Sequence, residues 1–136
     1  MSLYKKPKQI KYKKCKKGRL KKLEFKVTSL KFGTFGLKAA ESGVIKSNQL
    51  LAAKQAIIKK VKKKGKIWVT LFPYMSITCK PNGSRMGKGK GPILHWAFKI
   101  NSGSILFEIC GTNNLVILSA LKTASSKLPI KTKLCN

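Results

Sequence analysis

Residues 93–100 alternate, with Leu94, Trp96, Phe98 and Ile100 on one side and the polar His95 and Lys99 on the other. That period of two is the mark of a strand with one buried face. The apolar run at 105–110 follows after the turn residues Asn101, Ser102, Gly103 and Ser104, and the two segments are expected to pair as a hairpin. Two other segments change period. In 47–64, Leu50, Ala53, Ile57, Ile58 and Val61 form one helical stripe among lysines, with Gly65 as the expected stop. In 113–127, Val116, Ile117, Ala120, Leu121 and Ala124 point inward behind a Thr112 or Asn113 cap, and Pro129 closes the helix. Shorter β-rich stretches lie at 26–37, 67–72, 76–80 and 130–134. The sum is an α+β domain, two helices packed on one antiparallel or mixed β-sheet.

The first 24 residues do not share this pattern. Nearly every second residue is cationic, and Ile10, Tyr12 and Leu20 are too few to make a core face. An extended basic arm over residues 1–24 and a single folded domain over 25–136 are therefore expected. The arm cations are Lys5, Lys6, Lys8, Lys11, Lys13, Lys14, Lys16, Lys17, Arg19, Lys21 and Lys22.

Charge then decides the partner class. Thirty-one lysines and arginines face three acidic residues, a net charge of +28 on 136 residues. A domain so charged repels itself unless a polyanion neutralises it, and nucleic acid is the first candidate. Only Arg19 and Arg85 are arginine. So strong a lysine preference fits an A+T-biased coding genome of the organellar kind. An apolar fraction of 43% is enough for a core, which separates the chain from a disordered basic tail. No apolar run reaches the length of a membrane span. The N-terminus carries neither a secretory h-region nor the Arg- and Ser-rich character of a transit peptide.

The segment 84–92 carries the sharpest local signal. Arg85, Met86, Gly87, Lys88, Gly89, Lys90 and Gly91 alternate glycine with cation, which bares backbone amides beside ammonium groups and suits phosphate. It is not a Walker loop, because Lys88 stands where a second glycine is required, nor a dinucleotide fingerprint, which fails at Pro92. Catalysis has no basis. Glu24, Glu41 and Glu108 are the only carboxylates, His95 is the sole histidine, and Glu108 is expected to pair with Lys99 across the hairpin. Cys15, Cys79, Cys110 and Cys135 have no metal-ligand or disulfide spacing, so unpaired thiols and no metal or cofactor are expected. Trp68, Phe72, Trp96, Phe98 and Phe107 are assigned to the core, while Tyr4, Tyr12 and Tyr74 are better placed to stack on bases or ribose.

Four stretches together resemble ribosomal proteins of the L-sixteen type: residues 32–39, 65–68, 85–91 and 127–132, in that family's order and spacing. The resemblance implies an α+β protein of the large ribosomal subunit. It implies binding to large-subunit rRNA near the central protuberance, neighbouring large-subunit proteins as partners, and a place close to where aminoacyl-tRNA is accommodated. The loop with Arg85 at its tip would point toward the peptidyl-transferase region, and Lys38, Lys66 and Lys131 in the matched stretches join the arm as expected rRNA contacts. Two departures stand out. The arm is lysine where relatives carry arginine, which removes bidentate phosphate grips. Lys46 replaces the hydroxyl residue expected to open the first helix. DNA compaction and membrane-surface binding are the rival classes. The first lacks a helix-turn-helix, basic zipper or β-arm, and the second lacks an uncovered amphipathic helix. A mitochondrial ribosome, with the protein encoded in the organelle, is the expected location, and a plastid the second choice.

Overall fold

The computed structural model describes residues 7, 9–20, 23, 29–62 and 64–136. In chain order its elements are β1 (Phe35–Ala39), β2 (Gly43–Lys46), α1 (Ser47–Val61), β3 (Lys66–Val69), β4 (Met75–Thr78), β5 (Ile93–Ile100), β6 (Ile105–Cys110), α2 (Asn114–Ser125) and β7 (Thr132–Cys135). The α+β class holds, but the strands divide between two sheets, β3-β6-β1-β7 and β2-β5-β4, with every named pairing antiparallel. β5 and β6 lie in different sheets, so the expected hairpin does not form. The turn between them bonds to another linker instead: Ser102 N–H donates to Ser42 Oγ at 2.9 Å, Ser102 Oγ to the Ala40 carbonyl at 2.8 Å, and Gly103 N–H to the Ala39 carbonyl at 2.8 Å. Two crossings from sheet to sheet, 39–43 and 100–105, are thus hydrogen-bonded to each other. Glu41 locks the same corner, its Oε1 accepting from Lys131 N–H at 2.8 Å.

The helices pack on each other and on the sheets through one core. α1 buries Leu50, Ala53, Ile57 and Val61, and α2 buries Ile117, Ala120, Leu121 and Ala124, against Leu37, Phe98, Phe107 and Ile109. α1 opens without a hydroxyl cap; Gln49 Oε1 reaches back to accept from Lys46 N–H at 3.0 Å, half of a capping box. It ends at Val61, three residues before the expected last residue, Lys64. Lys62 takes the left-handed cap at φ 49° and donates to the Ile58 carbonyl at 3.0 Å. Gly65 serves packing instead, because a Cβ there would stand 2.7 Å from the Cys110 carbonyl. Asn113 is the α2 cap, its Oδ1 accepting from Leu115 N–H at 3.2 Å. Among the expected core residues, Ile58, Val116, Leu94 (65% exposed) and Phe72 (46% exposed) face outward, and Trp68 and Trp96 are half-buried. Strand alternation placed Leu94 inside, but it is exposed at the start of β5. Residues 26–28, the start of the β-rich stretch expected at 26–37, lie outside the described residues.

Glu108 does not pair with Lys99. On β6 it stands opposite Gly36 of β1 and Trp68 of β3, so all three face away from the helices. That face is covered by a strap, residues 29–34, folded back over it. Glu108 Oε2 accepts the backbone N–H groups of Lys31, Phe32 and Gly33 at 3.1, 2.7 and 2.8 Å, and the residue is only 1% exposed. Glycine is needed on both sides of the clamp. A Cβ on Gly33 would lie 2.7 Å from Ile109 N, and one on Gly36 would enter the space of Leu30. A carboxylate that would be costly to bury alone is stable here because three convergent amides replace its water.

Glu108→Gln keeps an acceptor but loses its charge, so it is expected to lower unfolding free energy by about 1–3 kcal/mol, and Glu108→Ala by about 3–5 kcal/mol. Urea titration of both variants measures this; wild-type midpoints would refute the clamp. His95 on β5 supplies a pH test. Its Nε2 is buried without a hydrogen-bond partner among the described residues. Burial, with Lys46 nearby, holds its pKa below the usual 6.5. The folded chain therefore binds fewer protons than the unfolded chain just below pH 6.5, so stability present above that pH is lost as pH falls. The urea midpoint should drop on acidification from pH 7 to about 5, and His95→Gln should flatten that drop.

Candidate nucleic-acid interface

β4 and β5 pair antiparallel and carry the Gly/Lys loop at their open end. Its neck is closed by Cys79 N–H donating to the Pro92 carbonyl at 3.2 Å. The exposed tip needs a backbone turned the unusual way, with φ of 92° at Gly87, 52° at Lys88 and 75° at Gly89. A Cβ on Gly87 or Gly89 would meet nothing within 4 Å, so these glycines serve the backbone sign and not close packing. Lys88 adopts the same conformation at a cost of about 1–2 kcal/mol. Lys80 Nζ pulls the tip back by donating to the Gly87 carbonyl at 2.6 Å. The loop curls around a hollow of about 520 Å³ lined by Lys80, Arg85, Lys88 and Lys90. Met86 stands 97% exposed at the tip.

The described part of the arm is fastened to this loop. Lys14 Nζ donates to the Lys90 carbonyl and Lys90 Nζ to the Cys15 carbonyl, each at 2.7 Å. Cys15 Sγ rests against Ser76 of β4 at 3.7 Å from its Oγ. Farther along, Lys99 Nζ donates to the Arg19 carbonyl at 3.5 Å. Each ammonium group has three donors, so one bond to a carbonyl leaves others for an outside acceptor. Lys11, Lys13, Lys14, Lys16, Lys17 and Arg19 are exposed, as are Lys80, Arg85, Lys88 and Lys90, and the Lys14–Lys90 and Lys90–Cys15 bonds bring the two sets of cations side by side. Lys5, Lys6, Lys8, Lys21 and Lys22, like Tyr4 and Glu24, lie outside the described residues. Tyr12, with Lys11 Nζ 5.6 Å from its ring centroid, and Tyr74 are exposed where bases could reach them.

The remaining expected contacts sit elsewhere. Lys38 on β1 lies directly opposite Lys133 of β7, with Lys131 exposed just before that strand. Lys66 heads β3 at the opposite edge of the sheet. Like charges facing across strands are unfavourable, so the Lys38–Lys133 pair gains from an outside anion. Lys80, which lines the loop hollow, and Lys133, which faces Lys38, were not singled out from sequence; their position near a matched stretch was the available signal. Of the two described carboxylates, Glu108 is buried on backbone amides, and Glu41 is exposed with its Oε1 on the Lys131 N–H. Among the described residues no cluster of histidine, cysteine and acidic groups could hold a metal, and no helix is long and apolar enough to cross a membrane.

Comparison with known proteins identifies the family. The family model described as ribosomal protein L16p/L10e matches residues 7–135. Curated relatives called "Large ribosomal subunit protein uL16" are 41% identical over 127 residues, 93% of this chain and 93% of theirs, in Sinorhizobium fredii and Rhizobium meliloti. The protein of that name from Rhizobium etli matches to the same extent, at 41% over 127 residues. The chain therefore belongs to the ribosomal protein L16p/L10e family, and it is a structural ribosomal protein and not an enzyme.

Proposed function

We propose that this chain is a constituent of the large ribosomal subunit that binds large-subunit rRNA through its arm and Gly/Lys loop and helps position aminoacyl-tRNA near the peptidyl-transferase centre. The observation that carries the RNA reading is the reciprocal Lys14–Lys90 and Lys90–Cys15 bonding, which joins arm and loop into one basic face. RNA docking on it would release condensed counterions from the phosphates and relieve the repulsion among the lysines. The division into an arm over 1–24 and a domain over 25–136 goes with this proposal, as do contacts to neighbouring large-subunit proteins. The tRNA role rests on the family resemblance together with the exposed, conformationally specialised tip at residues 85–90.

The proposed location is the mitochondrial ribosome. Its support is the nearly complete replacement of arginine by lysine, whereas the relatives compared are bacterial. Immunoblotting of ribosomes purified from mitochondria and from plastids decides between the organelles.

Binding of the whole chain to structured rRNA fragments should weaken by about three to five decades between about 50 and 200 mM salt, as displacement of several phosphate counterions requires. A shallow slope in a filter-binding titration would refute phosphate contact by the lysines. Arg85 offers a finer test, since Lys88 and Lys90 already supply charge beside it. Arg85→Lys should leave subunit yield unchanged but slow aminoacyl-tRNA accommodation and peptide-bond formation, because a point charge cannot reproduce a five-donor fork. Lys88→Ala should have the smaller effect. Particles with Arg85→Lys that match wild type in both readouts would reduce the loop to a generic cation.

A further inference from the structure

We propose that Phe32 and Trp68 form a platform on which one unpaired RNA base stacks, at a place separate from the arm and loop. The inference deepens the RNA-binding reading and rests on it. The two rings are stacked, with centroids 6.0 Å apart and planes 20° from parallel. Phe32 is nevertheless 60% exposed. Neither ring is free to collapse inward. Phe32 is held by its own backbone N–H, which donates to buried Glu108 Oε2 at 2.7 Å, and Trp68 sits directly opposite Glu108 in the β3–β6 pairing. The strap thus presents an aromatic face to solvent and fixes it there, so little freedom is lost when a flat ligand docks.

Charge identifies that ligand. Lys31 precedes Phe32 in the strap, and Lys66, two residues before Trp68, shares its strand face; both are exposed. Aromatic surface bracketed by two cations matches a nucleotide, whose base has a π-face and whose flanking phosphates are anionic. An apolar side chain from a protein would cover the ring and leave both lysines uncompensated. A fully paired helix offers no free base face inside its stack, so the occupant is an unpaired base in a loop or bulge.

The test uses the whole chain and two probes of equal length: an RNA hairpin with an adenosine loop and a blunt, fully paired RNA duplex. Phe32→Leu keeps the amide that Glu108 binds and keeps apolar bulk, so the strap stays in place. It should weaken hairpin binding by about tenfold, the scale of one base on one aromatic side chain, and leave duplex binding unchanged. In a Trp96→Phe background, Trp68 is the only tryptophan, and the hairpin should quench its fluorescence while the duplex does not. Unchanged hairpin affinity with no quenching would overturn the platform while salt-dependent duplex binding still upheld the RNA-binding reading. Failure of the wild-type chain to bind either probe would overturn that reading itself. Unchanged hairpin affinity, with loss of a neighbouring protein from subunits carrying Phe32→Leu, would assign the patch to a protein partner and refute the base.

Discussion

Three backbone amides converging on one oxygen of Glu108 hold together parts of the chain about 75 residues apart in sequence. Through that carboxylate the strap is fixed to the face of the sheet turned away from the helices. The two glycines at 33 and 36 then bring the strap within contact distance, and Leu30 and Phe32 are seated over Gly36 and Trp68. The burial of a charge, ordinarily destabilising, is here the organising contact, because the amides satisfy the carboxylate more fully than a lysine on a flexible stem would.

That arrangement also shapes the electrostatics. Of the chain's three acids, Glu108 is buried on backbone amides, which takes its charge off the surface, while Glu41 stays exposed and accepts a single backbone N–H from Lys131. The exposed lysines then present their full field to whatever approaches. Internal bonding uses both charge types: Glu108 and Glu41 accept from backbone amides, while Lys14, Lys80, Lys90 and Lys99 each give one donor to a backbone carbonyl and keep others for the outside.

Much of this was legible in the sequence, and the errors share a cause. Periodicity found both helices and the strands at 93–100 and 105–110, because burial of one face imposes its period on the residues regardless of neighbours. It could not say which strand pairs with which. The 101–104 turn has hairpin chemistry, yet Ser102 and Gly103 bond to residues 39–42, a partner invisible to local reading. The misassigned Glu108–Lys99 pair followed directly from that hairpin. A lone glutamate within an apolar run, in a chain almost without acids, was itself a signal of a buried, amide-bound group. β2 escaped notice because only Val44 and Ile45 of its four residues are β-formers. The Gly/Lys loop was read correctly as exposed, since alternating glycine and lysine cannot build a core, but its bond to the arm joins residues 75 or more apart.

The position of β1 in its sheet sets an order of events during synthesis. Both of its neighbours, β6 and β7, come from the last part of the chain, residues 105–110 and 132–135. Until those segments leave the ribosome that makes them, β1 has no partner strand and the strap has no carboxylate to seat it. The cationic N-terminus is translated long before that point. A nascent chain of this protein therefore displays its charge well before that sheet can form.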